Sequence, residues 1–311
     1  MSPPADAAPP VPPFLALVVG VIAVSTGAIF ARMAGEAEAL VIAAYRVGLA
    51  SLVLLPVAWL TARRELLGLS RADLKLAGLS GLFLALHFAT WISSLDYTSV
   101  TNSVVLVNTN PLWVALLTPF IARERLGRTT IVSILVSVAG GVIIGYGDFE
   151  TGGKALLGDG LALAGSVCAA IYLLIGRRLR RKLPLTAYVT VCYGSAALIL
   201  WAMVIALRLP VSGFSAGTVS AFWAMALIPQ LIGHTSYNWS LRWFSAGTIA
   251  VSLLGEPIGA GILAYLLFDE RPTVHKFAGG GQILLAIYLS ARGERSEEHT
   301  SEPQSPNTIS Y

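Results

Sequence analysis

The chain has 311 residues, 55% of them hydrophobic and 12% charged, with a mean hydropathy of +0.72. Soluble domains carry roughly 25% charged residues, so a water-soluble fold is excluded and the lipid bilayer is the expected solvent. The net charge of +4 is small, and where the charges fall says more than their sum.

Met1 to Pro13 is proline-rich and has no basic stretch ahead of an apolar one, so no cleavable signal peptide is expected. A helix needs about 20 apolar residues to cross a ~30 Å hydrocarbon core. Ten segments approach that length: roughly 14–32, 40–60, 74–93, 100–121, 130–146, 157–176, 186–207, 217–240, 247–268 and 275–291. The second holds Arg46 two turns from its start, where the side chain could snorkel to headgroups or pair with Glu36. The third carries His87, Trp91 and Ser94, and Asp96 at its outer end is expected to be solvated. The fourth contains Asn110-Pro111. Cys168 and Cys192, in the sixth and seventh, are far apart and read as small core residues rather than as a disulfide or metal framework. The eighth carries Gln230, His234, Tyr237, Asn238 and Leu241, and the ninth holds Gly255-Glu256-Pro257. Beyond 291 the chain is polar and aperiodic, so residues 1–13 and 292–311 are expected to be disordered tails.

Lys and Arg collect in alternate loops: Arg63, Arg64, Arg71 and Lys75; then Arg123, Arg125 and Arg128; then Arg177, Arg178, Arg180, Arg181 and Lys182. The loops of opposite parity hold few, so the positive-inside rule puts both termini in the cytoplasm, as expected for a multi-pass protein of a cell inner membrane. Residues 146 positions apart also match. Pro111 falls on Pro257, Glu124-Arg125 on Glu270-Arg271, Ser94-Leu95 on Ser240-Leu241, Trp91 on Tyr237, and Arg32 on Arg178. Two five-helix repeats follow, 14–146 and 157–291. Five is odd, so the second repeat runs inverted. The expected fold class is an all-α integral membrane protein of ten transmembrane helices in two inverted five-helix repeats. Such repeats place a substrate site between them and permit alternating access.

Glu256 lies in mid-membrane, where a carboxylate is costly unless it faces a cavity or a partner. Pro257 leaves the carbonyl of Leu253 without its donor, making a polar notch beside the carboxyl. Glu256 is thus either a substrate-amine or proton site or a structural acid at a kink. Asn110, its repeat mate, also precedes a proline and is either a cavity or a structural residue. His234, Tyr237, Asn238 and Leu241 share one helical face, which Gln230 extends by a turn, and His87, Trp91 and Ser94 repeat the arrangement on the third segment. These faces read either as cavity lining or as packing. The cavity candidates are therefore His87, Trp91, Asn110, Gln230, His234, Tyr237, Asn238 and Glu256, with Pro111 and Pro257 as helix breaks that could gate. The Glu-Arg pairs at 124–125 and 270–271 read as helix-end anchors. Gly255 with Gly259, and Gly141 with Gly145, have the small-xxx-small spacing of close helix packing, and the fifth and tenth segments are expected to pack together.

Asn110-Pro111 through Glu124-Arg125-Leu126, followed by a Gly140-Gly141 helix, resembles the end of an EamA domain, and Gly255-Glu256-Pro257 through Asp269-Glu270-Arg271 resembles the same end of a second. Over residues 14–291 the chain resembles the ten-helix drug/metabolite transporter superfamily. The resemblance implies a central cavity lined mainly by the third, fourth, eighth and ninth helices, in exporters of amino acids, other metabolites and drugs. Ser25-Thr26-Gly27 stands where relatives commonly have Trp-Gly in the first helix, so nothing is carried over to that helix.

The expected function is a secondary transporter exporting small organic metabolites, amino-acid-like or otherwise neutral, zwitterionic or cationic, by alternating access. An integral-membrane enzyme would need a catalytic constellation. The four histidines form no His-x-x-x-His pair, and neither a Gly-x-Ser-x-Gly elbow nor a Walker phosphate loop is present. An antiporter of nucleotide sugars or phosphate esters would want Lys or Arg deep in the cavity, where Arg46 is the available candidate. No cofactor, metal or nucleic acid is expected. The partners are a small-molecule substrate, the bilayer and, as a candidate coupling ion, the proton; the chain is expected to be a monomer.

Overall fold

A computed structural model describes residues 9, 11–98, 103, 106–123, 127–145, 153–268 and 274–301. All regular elements among the described residues are helices. Helix α1 (Pro13–Ser25) starts on a proline, whose fixed φ suits a first turn, and α2 (Gly27–Met33) continues the same apolar span past Thr26. Ser25 Oγ donates to the Val21 carbonyl (2.8 Å) and Thr26 Oγ1 to that of Ala23 (2.7 Å), a type of back-bonding that bends helices. Then come α3 (Ala39–Thr61), the short α4 (Arg63–Leu67) and α5 (Arg71–Ser94), which Ser70 caps by accepting the Asp73 amide. These are followed by α6 (Asn110–Ile121), α7 (Arg128–Gly145), α8 (Gly153–Arg180) and α9 (Leu185–Ala206).

The eighth apolar segment is compound: α10 (Ala216–Met225), a π-helical stretch (Ala226–His234) and α11 (Thr235–Ser240). The ninth is broken at Leu254 into α12 (Ala246–Leu253) and α13 (Gly255–Phe268). Last comes α14 (Val274–Ser301). It runs past residue 291, because a formed helix extends at low cost through residues such as Arg and Glu with good helix propensity. The Glu-Arg pairs at 124–125 and 270–271 lie outside the described residues.

Among the described residues, seven helical spans are long and apolar enough to cross a membrane: 13–33, 39–61, 71–94, 153–180, 185–206, 216–240 and 246–267. Three shorter apolar helices accompany them, Asn110–Ile121, Arg128–Gly140 and Phe277–Ser290. Their outer surfaces expose large apolar side chains, among them Leu60, Phe120, Leu198 and Ile205. Lipid accepts such a surface and water does not.

Packing crosses the halves of the sequence. Helix α1 lies against the π segment, α11 and α13, whereas α8 lies against α5 and α6. Each of the two resulting bundles is thus assembled from both sequence repeats. To one side α7 packs along α14, where a Cβ on Gly140 would come within 2.8 Å of the Gly279 carbonyl, so the fifth and tenth segments do pair. Helix α13 closes on α1 through Gly255, whose added Cβ would stand 2.7 Å from Val21 Cγ1, and Gly259, whose added Cβ would stand 2.2 Å from Ser25 Oγ. Gly259→Val is therefore expected to destabilise the protein by about 1–3 kcal/mol through overpacking. Gly261→Ala, with nothing within 4 Å of the new methyl, should leave stability nearly unchanged. Thermal unfolding in detergent checks both, and equal midpoints for the two variants would refute the close contact.

Candidate substrate cavity

A cavity of about 50 Å³ lies between the two bundles. One wall carries His87, Phe88 and Trp91 of α5 with Tyr172 of α8; the other carries His234, Tyr237 of α11 and Glu256 of α13. Asn108 and Asn110 close one side and Arg46 of α3 reaches in from another. Ligand pockets usually span about 300–1,000 Å³, so a metabolite fits only if the bundles part.

Local structure explains most of the wall. His87 and Trp91 are one turn apart on α5, so their rings stack at 5.9 Å with an interplanar angle of 3°. His87 Nδ1 lies 3.0 Å from the Gly165 carbonyl. A carbonyl only accepts, so Nδ1 carries the hydrogen and Nε2 of the neutral ring is left as an acceptor. His234 sits edge-on to Phe88 (5.3 Å) and Tyr237 (6.0 Å) and tilted against Tyr172 (6.1 Å).

Four buried polar atoms on this wall have no hydrogen-bond partner among the described residues: Trp91 Nε1, Asn110 Oδ1, His234 Nδ1 and Tyr237 Oη. Buried polar groups are nearly always paired, and leaving one unpaired costs about 1–3 kcal/mol. Donors and acceptors in excess around one aromatic-walled space suit a polar organic solute.

Of the places the sequence left open for Arg46, the structure has it within the protein, 2% exposed, with Nε donating to Gln230 Oε1 at 2.9 Å and Cζ 4.1 Å above the Phe88 ring. Among the described residues Gln230 is its hydrogen-bond partner. Glu36, the alternative partner, instead accepts from the Ser215 amide (2.9 Å) and the Thr218 hydroxyl (3.0 Å), and these bonds hold its carboxyl below the usual range. Glu256 sits in the first turn of α13 and lines the same cavity as Arg46, so that the two opposite charges act on each other across it with no ion-pair contact between them among the described residues.

The cavity thus gathers His87, Trp91, Asn110, His234, Tyr237 and Glu256, but not Gln230 or Asn238. Pro229 has no N–H for the carbonyl of Met225, and i→i+5 pairing passes that carbonyl to Gln230. The wider turn swings the Gln230 side chain off the α-helical face and onto α3, so it acts through Arg46. Asn238 points behind the wall, its amide 2.5 Å from Tyr172 Oη and 3.1 Å from Tyr193 Oη. Pro111 and Pro257 both fall in the first turn of a helix that restarts at the cavity, where a missing N–H costs nothing. Asp96 is exposed as expected, and partial burial together with nearby Glu38 raises its carboxyl above the usual range.

The EamA-like transporter family matches this chain twice, over residues 12–146 and 156–292. An uncharacterized transporter of Archaeoglobus fulgidus is 27% identical over 257 residues, covering 80% of this chain and 86% of its own length. The uncharacterized transporter YyaM of Bacillus subtilis is 23% identical, covering 85% and 88%. A solved crystal structure superposes with a TM-score of 0.74 at 18% identity over 92% of this chain and 98% of its own, which speaks for the fold. These names point to a membrane transporter rather than an enzyme. With both halves matched, the chain belongs to the EamA-like transporter family.

Proposed function

We propose that the protein is a secondary transporter exporting a small zwitterionic solute, amino-acid-like in its charge pattern, by alternating access. The observation that carries this reading is that Arg46 and Glu256 face one cavity as opposite charges that act on each other across it without direct contact. A ligand bearing both a carboxylate and an ammonium would complement both charges, and buried charges are tolerable only when paired. The unmatched atoms of Trp91, Asn110, His234 and Tyr237 would hold its polar groups, and the rings its apolar part. The small cavity volume supports alternating access, since the solute cannot enter unless the bundles separate. In this reading the ten apolar helices form two inverted repeats with both termini in the cytoplasm, and the protein works as a monomer in the inner membrane without a cofactor.

Arg46 inside the cavity also favours a second reading, exchange of phosphate esters, although Glu256 opposes an anion. Counterflow in proteoliposomes separates the two. Amino acids are expected to exchange, and phosphate esters are not; the opposite pattern overturns the first reading. Trp91→Ala and Tyr237→Ala are each expected to shift the half-saturation for aromatic over aliphatic solutes about two- to tenfold, given about 0.5–1.5 kcal/mol per aromatic pair. Membrane insertion should be unaffected. Unchanged half-saturation across a solute panel in both variants removes these rings from the site.

A further inference from the structure

The two bundles are joined by arginines at one end. Helix α11 stops at Ser240, where the following turn takes the carbonyls of Tyr237, Trp239 and Ser240 and leaves those of Asn238 and Leu241 to side chains, at the negative end of the helix dipole. Two side chains from the last turn of α8 take such carbonyls: Arg177 Nη1 donates to Leu241 (2.6 Å) and Arg180 Nε to Asn238 (2.9 Å). Arg180 also donates to the carbonyl of Leu183, so one buried guanidinium ties together both bundles and the turn after α8. The approach is close because residue 176 is glycine. A Cβ there would lie 2.9 Å from Tyr188 Oη and 3.0 Å from Leu241 Cδ1.

Among the described residues, the positions that correspond to these arginines do not carry the device at the opposite end. By the 146-residue offset, Gly176, Arg177 and Arg180 correspond to Phe30, Ala31 and Ala34. Ala31 and Ala34 are buried with no polar group to offer, and the Ile92 carbonyl, mate of the Asn238 carbonyl, is taken by the amide of Leu95 in its own chain. Inverted repeats that exchange conformations would be balanced if the two ends were chemically equal, and here they are not.

We propose that Arg177 and Arg180 form a one-sided latch that keeps the cavity shut at their end, so that the resting protein opens more readily at the end of Ala31 and Ala34. This rests on the alternating-access reading, and its test is independent of any substrate. A cysteine is placed at the cavity by Leu253→Cys in a Cys168→Ser, Cys192→Ser background. Reconstituted protein is labelled with a membrane-impermeant maleimide from each side in turn. Arg177→Ala/Arg180→Ala is expected to raise labelling from the arginine side relative to the other on the order of tenfold or more, since two hydrogen bonds from charged donors are lost. Gly176→Val, which keeps both arginines and wedges the helices apart, should shift the ratio in the same direction and covers the case in which the double variant does not fold. Unshifted ratios in folded variants that still perform counterflow overturn the latch and leave the transporter standing. A shifted ratio in a protein that exchanges no solute supports the latch and removes the transport reading.

Discussion

Arg46→Ala is expected to lower counterflow of an amino acid at least about 30-fold, and to lower it little for the corresponding carboxamide. The first figure follows from truncating one partner of a buried charge pair, which costs about 2–5 kcal/mol, about 1.4 kcal/mol being a factor of ten. The second follows from the geometry. Nε is committed to Gln230 and the guanidinium is held over Phe88, so the group available to a ligand is a fixed positive edge that matters only to an anion. The acid-to-amide ratio measured in both proteins isolates the interaction, in the manner of a double-mutant cycle. Native protein should prefer the acid strongly and the variant should not. Arg46→Lys is expected to fall between them, because a compact ammonium cannot reproduce the planar group that bonds Gln230 while lying on Phe88. An acid-to-amide ratio that stays the same in Arg46→Ala would mean that this guanidinium serves the fold and not the solute.

Much of this site could be read from spacing alone. His87 and Trp91 meet the cavity as the α-helical period requires, because α5 is a regular helix where they fall, and His234, the last residue of the π stretch, still shares the wall with Tyr237 in the first turn of α11. Pro111 and Pro257 marked the two places where a helix restarts, since a proline nitrogen is tolerable only where no donor is needed. Gln230 leaves the face because Pro229 precedes it: the proline goes with a π turn, and the period used to extend the face no longer applies. Asn238 failed because Tyr172 and Tyr193, distant in sequence, supply partners that draw its amide behind the wall. For Arg46 the sequence left open a headgroup contact, a pair with Glu36 and a place in the cavity. A better signal lay beside it: Ala39, Ile42, Ala43 and Ala50 share its face at helical spacing and are all buried, so the stripe that carries Arg46 is the one packed against other helices. The Arg177–Arg180 contacts were beyond the sequence. They depend on α8 crossing to the other repeat, and local pattern does not encode that crossing.

Glu256→Gln is expected to abolish accumulation driven by a pH gradient and to slow solute exchange at equal pH without stopping it, because the carboxylate that complements the solute's ammonium is lost as well. The amide keeps the size and much of the hydrogen-bonding capacity of the carboxyl, but it cannot take up or release a proton. The position suits a group that does. Glu256 lies in the first turn of α13, where the helix dipole favours the charged form, inside an apolar segment that favours the neutral one, and beside Pro257, whose missing N–H lets the chain bend. It also faces the space through which the solute must pass, so its charge state and solute occupancy cannot be independent. One proton per solute lets a gradient of one pH unit drive about tenfold accumulation. The native protein should show this in proteoliposomes, with acidification followed by a trapped dye, and the glutamine variant should equilibrate the solute without concentrating it. Glu256→Asp, which retains the proton site, should accumulate solute more slowly and to the same final ratio. If Glu256→Gln still concentrates solute against a gradient, the coupling proton is carried elsewhere, and the carboxylate is left with solute binding or helix restart as its role.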